Sequence, residues 1–218
     1  MASSTQQLFQ GQTTTEGKRQ RTRSALLDSA ISVIASKGFE ATKITDVTNH
    51  AGVANGTFYL HFKDKDALIR SIANGLAQEI TRQIDERLVF VEAADARVTL
   101  GTYRIMTLAD REHEWIDVLF ASTEFIPEAK LNLVRFLKAD LERGAGQGLF
   151  SVEVDSLLIN QIIALVRTGI LAKDDQIDPE IARVKTCESI LQLLGYSQAK
   201  ARRTVARVIR TEVDSVAE

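Results

Sequence analysis

The chain has 218 residues, 44% of them hydrophobic and 26% charged, with a formal net charge of −2; that length fits one large domain or two small ones, with enough apolar residues for a sizeable core. A single cysteine, Cys187, excludes an internal disulfide framework and fits a reducing compartment. The opening MASSTQQLFQGQTTTEG lacks the basic start and apolar core of a signal peptide, and no apolar run approaches the roughly 18 residues of a membrane helix, so a cytoplasmic protein with no membrane partner is expected.

Charge is spread unevenly. Residues 1–15 carry none, whereas residues 16–65 hold eight Lys/Arg against five Asp/Glu. That segment is +3 in a chain of −2, which leaves −5 for residues 66–218. A mildly basic head on an acidic body implies that a polyanion meets one end only. Two prolines and little β-branched alternation point to an all-α protein.

Residues 1–17, rich in Gln, Thr and Ser, read as a disordered tail. From about Arg21 the pattern is helical, with Leu27, Ala30, Ile31 and Ile34 on one face and a stop at Lys37-Gly38, plugged by Phe39. A short second helix is predicted over Ile44–Ala51, capped by Thr42 or Thr45 and stopped by Gly52. A third follows Asn55, a good N-cap residue, and sets Phe58 and Phe62 one turn apart, facing inward. A long fourth helix starts near Asp64-Lys65. It carries Leu68, Ile72, Leu76, Ile80, Ile84 and Leu88 at successive i+4 steps, which makes it the connector to the body. Six more helices are predicted at about 94–109, 112–125, 127–143, 153–172, 178–194 and 197–213. The predicted organisation is a tail over 1–17, a head over 18–64 and a body over 65–218.

A short helix, a glycine turn and a second short helix make the helix-turn-helix pattern. There the first helix braces on the DNA backbone and the start of the second reaches base edges in the major groove. Gly52 permits the turn at positive φ, and Gly56 and Thr57 keep the first turn of the second helix slim. With both phenylalanines inward, Thr57, Tyr59, Leu60 and His61 take the other faces. Thr57 suits a base edge or a thymine methyl, Tyr59 and His61 suit phosphate, and Lys65 adds charge. The bare pattern fits an ordinary helical hairpin, with glycine at its joint, about equally well.

Over residues 23–69, however, Ala30, Gly38-Phe39, Thr42, Asp46-Val47, Ala51-Gly52-Val53, Gly56-Thr57-Phe58-Tyr59, His61-Phe62, Lys65 and Leu68 recur at one family's spacing. The stretch resembles the N-terminal domain of the tetracycline-repressor (TetR) family of bacterial one-component regulators. Lys43, Thr48, Ala54 and Asp66 depart from the residues usual in that family, Lys43 and Ala54 near its DNA-facing surface. The resemblance implies a homodimer on a palindromic operator in double-stranded DNA, usually as a repressor. A small-molecule effector in the C-terminal body would change the separation of the two heads. Arg21, Arg23 and Lys65 are then expected on phosphates and Lys43, Thr45, Gly56 and Thr57 nearest the bases. Asn55, Tyr59, Leu60 and His61 complete the DNA-binding set.

In such a family the helices near 153–172 and 178–194 form an intermolecular four-helix bundle. The matching apolar residues are Leu157, Leu158, Ile162, Ile163, Leu165, Val166 and Ile170 on one helix and Ile181, Val184, Ile190, Leu191 and Leu194 on the other. The ligand-binding candidates are the aromatic and soft residues Tyr103, Met106, Trp115, Leu119, Phe120, Phe125, Leu133 and Phe136, with Arg104, Arg167 and Thr168 as polar anchors. Each aromatic taken singly reads as core, and each polar group as surface. A medium-sized hydrophobic effector, with or without an acidic group, is expected. The last helix carries a basic stripe, Lys200, Arg203, Arg207 and Arg210, which reads as a solvated face.

Other signals are weak. HEWID at His113 begins like a zinc-binding HExxH, but Asp117 stands where the second histidine belongs. GAGQG at 144–148 follows a helix rather than a strand, so it is not a dinucleotide fingerprint. No catalytic constellation, cofactor or metal is expected. The main expectation is a ligand-responsive repressor. The alternatives are a DNA-binding regulator without an effector, and a metal-dependent sensor or enzyme using His113 and Asp117.

Overall fold

The computed structural model describes Phe9 and residues 17–85, 88–125 and 127–217; the side chains of 85, 123–125, 127–133 and 213–217 lie outside that description. Among the described residues the chain is all helical. Its helices are α1 (Lys18–Ala41), α2 (Ile44–His50), α3 (Asn55–Tyr59), α4 (Lys65–Asp85), α5 (Ala94–Arg111), α6 (His113–Phe125), α7 (Pro127–Gly146), α8 (Ser156–Leu171), α9 (Pro179–Leu193) and α10 (Gln198–Ala217). They divide into two compact units. One is Met1–Gln78 with Glu112–Leu131, and the other is Glu79–Arg111 with Asn132–Glu218.

In the first unit α1 packs on α2 and α6, and α2 packs on α3. Leu26, Leu27, Ile31, Val47, Phe58, Leu68, Ile72 and Leu76 are all but fully buried and form its core. The α1 helix breaks at Gly38 (φ 80°, ψ 168°), where a residue with a Cβ would be strained. The exposed carbonyls at that break find new donors: Thr42 Oγ1 donates to Gly38 O at 2.7 Å, and Lys65 Nζ donates to Phe39 O and, at 3.4 Å, to Glu40 O. Thr42 is therefore a partner of α1, and neither threonine caps α2. Lys43 is the N-cap residue; its N–H donates to Asp46 Oδ2 at 3.0 Å. That bond and the Lys37 ammonium, 3.0 Å from Asp46 Oδ1, hold the Asp46 carboxyl below the usual range. The turn at Gly52 has φ 67°. At α3 the expected Asn55 cap is displaced by one residue: Ala54 is the N-cap, and Asn55 is already helical. Asp64 caps α4, accepting from Ala67 N at 2.7 Å.

In the second unit α5 packs against α8, α9 and α10, and α9 packs against α8 and α10. Asp155 caps α8 and Asp178 caps α9, accepting from the N–H of Leu158 and Ile181 respectively. Pro179 holds the first helical position of α9, as its fixed φ favours. The helices approach closely at Gly169, where an added Cβ would lie 2.3 Å from Thr186 Oγ1 and 2.7 Å from Met106 Cε. Cys187 is buried and its Sγ donates to Thr99 O at 3.6 Å; burial pushes its thiol up to about 12, which makes it a packing residue.

Candidate nucleic-acid interface

The first unit presents one side built from the α2–α3 turn, α3 itself and the start of α1. Phe58 and Phe62 turn inward, their ring centroids 5.6 Å apart. Burying those two rings forces the rest of the segment outward: Asn55 and Gly56 are exposed, Tyr59 is 57% exposed and Leu60 69%. Thr57 is half-buried beside them, and Lys43 and Thr45 at the start of α2 are exposed. A slim polar turn followed by a tyrosine and a leucine in solvent is a shape that can enter a groove. The apolar side chains gain nothing by staying wet.

Flanking this face is an open cleft of about 500 Å³ lined by Gly17, Arg19, Gln20, Arg23 and His61. Arg19 reaches Leu60 O at 3.5 Å, so it joins the first turn of α1 to the end of α3. Arg23 stacks its guanidinium over the Phe62 ring, 5.0 Å from the centroid, and donates to Ser71 Oγ at 3.3 Å. Partial burial, and then the charges of Arg19 and Arg23, hold the His61 pKa below its ordinary value. With two guanidiniums beside the imidazole, the cleft is cationic.

The remaining DNA candidates fall in two groups. Arg21 is exposed at the start of α1. Lys65 is engaged by the Phe39 and Glu40 carbonyls, so its ammonium holds α4 to the broken end of α1. Arg19 was not among the sequence candidates. The basic run Lys18-Arg19-Gln20-Arg21 contains it, but only the fold brings it against Leu60 and His61.

The ligand candidates divide between the units. Trp115, Leu119 and Phe120 are buried on α6 in the first unit, and Tyr103, Met106, Phe136 and Arg167 belong to the second. The side chains of Phe125 and Leu133 lie outside the described residues. In the second unit Tyr103 OH donates to Glu180 Oε2 at 2.8 Å, and Arg183 lies over the Tyr103 ring at 5.4 Å. Burial, and then the Glu180 carboxylate, raise the Tyr103 pKa. Met106 lines a cleft of only about 10 Å³ with Asp110, Gly169, Ile170, Lys173, Pro179 and Arg183, room for a water. Arg104 pairs with Glu212, and Arg167 and Thr168 are exposed on α8. Two buried polar atoms have no hydrogen-bond partner among the described residues, Arg104 Nε and Glu114 Oε2. His113 and Asp117 are exposed on α6, and no group of three His, Cys, Asp or Glu able to hold a metal occurs among the described residues.

Residues 26–72, which carry α2, α3 and most of α1 but not Arg19, Arg21 or Arg23, match the family described as bacterial regulatory proteins, tetR family. The head is a TetR-family N-terminal domain. The uncharacterized transcriptional regulator YvdT of Bacillus subtilis (strain 168) is 43% identical over 74 residues, which are 34% of this chain and 36% of YvdT. The chain therefore spans about a third of that relative. The transcriptional repressor KstR2 of Rhodococcus jostii (strain RHA1) is 28% identical over 77% of this chain and 75% of its own length. Among solved structures, FadR of Bacillus subtilis in complex with stearoyl-CoA superposes with a TM-score of 0.64 over 78% of this chain and 97% of its own, at 22% identity. That likeness extends the shared helical fold beyond the head. No described helix is long and apolar enough to cross a membrane.

Proposed function

We propose that the chain is a cytoplasmic, dimeric TetR-type transcriptional regulator, a repressor released from a palindromic operator by a small hydrophobic ligand. The observation that carries this reading is the outward face of α3, Asn55 to Leu60, beside the cationic cleft of Arg19, Arg23 and His61. Thr57 and Gly56 contact base edges, with Lys43 and Thr45 next to them, while Arg19, Arg21, Tyr59 and His61 bind phosphates. Lys65 acts indirectly, by fixing the head.

Dimerisation pairs the exposed faces of α8 and α9 across a two-fold axis. Leu158, Ile162, Val166, Ile190, Leu191 and Leu194 are used up inside the chain itself. The pairing face is therefore the outer stripe of Leu157, Gln161, Ala164, Thr168 and Leu171 on α8, with Ile181 on α9. A KstR2 repressor among the relatives and a FadR neighbour holding stearoyl-CoA support repression and an apolar effector. The unpaired Glu114 Oε2 gives an effector with a hydroxyl or amine something to donate to.

The test is binding of the purified protein to the DNA just upstream of its own gene, titrated at two salt concentrations. Saturable binding that outcompetes random DNA is expected, with a log–log salt slope of roughly −0.9 per phosphate contact. Equal affinity for both DNAs at both salts would contradict sequence-specific regulation at that site.

A further inference from the structure

The turn at residues 88–91, before α5, carries an exposed apolar tip on a hydrogen-bonded base. Val89 is 67% exposed and Phe90 is 89% exposed. Beneath them Val91 N donates to Leu88 O at 3.0 Å, and Arg97 Nη1 donates to Leu88 O at 2.5 Å and to Val91 O at 3.4 Å. Arg97 is itself fixed by Asp140, 2.5 Å from its Nε. Gln147 closes the far side, donating to Glu92 O at 3.1 Å and accepting from Ala94 N at 3.0 Å. A loop held at so many points loses little entropy on docking, and a rigid aromatic is the usual anchor of a protein interface.

The turn lies on α10, where Leu88 and Val91 pack with Val208 and Leu100. Residues 198–211 contain five Lys/Arg and no acid. Arg202 and Arg207 reach Glu188 and Asp95, whereas Lys200, Arg203 and Arg210 are exposed without an ion pair among the described residues. The apolar face of α10, Ala201, Val205 and Val208, is buried in its own chain. It is not available to enter a lipid surface, which argues for a protein partner.

The same unit holds the complementary patch. In the α8–α9 connection Asp174 and Asp175 are exposed beside Ile177, itself 42% exposed. Ile177 N donates to Ala172 O at 3.1 Å, which fixes this loop as well. We propose that the Val89-Phe90 tip and the basic face of α10 on one copy bind the Asp174-Asp175-Ile177 loop of a second copy. Because the two patches differ, this contact is heterologous; its acidic loop lies at the connecting end of α8 and α9, beyond the proposed pairing stripe that ends at Leu171 and Ile181, and it joins dimers into larger assemblies. Charge complementarity sets the register, and Phe90 against Ile177 removes apolar surface from water.

Sedimentation of the full chain over a range of concentrations, at low and high salt, tests this. Species larger than the dimer are expected at low salt, weakening as salt rises. Phe90→Ser weakens that association by at least about tenfold while leaving the dimer intact. Asp174→Lys with Asp175→Lys abolishes it, and adding Arg203→Glu and Arg210→Glu restores it. A wild-type chain that never exceeds the dimer would overturn the proposal. So would a charge reversal that is not rescued, or a Phe90→Ser chain that falls apart to monomers.

Discussion

His61 has its pKa held below the ordinary imidazole value. Burial and the neighbouring Arg19 and Arg23 favour the neutral imidazole in the free protein, whereas a phosphate in the cleft favours imidazolium. If His61 meets a phosphate as proposed, the bound pKa lies above the free one, and DNA binding takes up a proton. The extra affinity is full below the free pKa, which burial, Arg19 and Arg23 hold under the ordinary imidazole value, and is lost as pH rises through the bound value. Titrating operator affinity between pH 5.5 and 8 should show tighter binding at the acid end, and His61→Gln should flatten the profile. An unchanged slope in the variant would remove His61 from the phosphate site. Roles divide in the same way among its neighbours: Arg21→Ala should weaken operator and random DNA alike and reduce the salt slope by about 1, whereas Thr57→Ala should cost affinity mainly on the operator. Lys65 behaves differently. Lys65→Met leaves the Phe39 and Glu40 carbonyls without their donor and should lower stability by about 1–2 kcal/mol in urea unfolding. Sequence gave Lys65 a charge and no address; a carbonyl exposed by a broken helix end carries no signature in the residue types around it.

At the scale of the elements, the helices were readable because their apolar positions repeat every three to four residues, as in the Leu68 to Ile80 ladder of α4, which is buried throughout. The glycine stops at Gly38 and Gly52 were equally readable, since both take a positive φ. The caps were not. Side-chain preference points to Thr42 and Asn55, but Thr42 is drawn to the Gly38 carbonyl and Ala54 takes the cap of α3 through backbone geometry alone. Nor could pattern alone decide which face of α8 is spent inside the chain, because apolar residues surround much of it. Two sites test the packing of the second unit. Gly169→Ala drives a methyl into Thr186 and Met106 and should cost about 1–3 kcal/mol of stability. Asp140→Ala leaves the Arg97 guanidinium without its carboxylate at a site where both side chains are 11% exposed. It should cost about 3–5 kcal/mol, read as a lowered midpoint in denaturant.

On the proposed reading, the whole molecule works only if two heads are held together. Leu157 and Ile181, exposed on the outer faces of α8 and α9, should both be needed. Leu157→Glu with Ile181→Glu should yield a folded monomer by light scattering, with operator affinity falling to the level of random DNA. A dimer that survives both changes would move the pairing face elsewhere. The family and the helical layout were legible because the head's motif residues are fixed by packing and turn geometry. A ligand site was not, since aromatic residues at helical spacing look the same whether they fill a core or line a cavity; Met106 lies near Gly169, and Tyr103 against Glu180 and Arg183. The most direct test of the account is selection of bound sequences from a randomised duplex pool by the purified protein. Two inverted half-sites with centres about 10 base pairs apart, the reach of two heads in successive major grooves, are the predicted result. An enriched pool with no two-fold symmetry, or no enrichment at all, would contradict it.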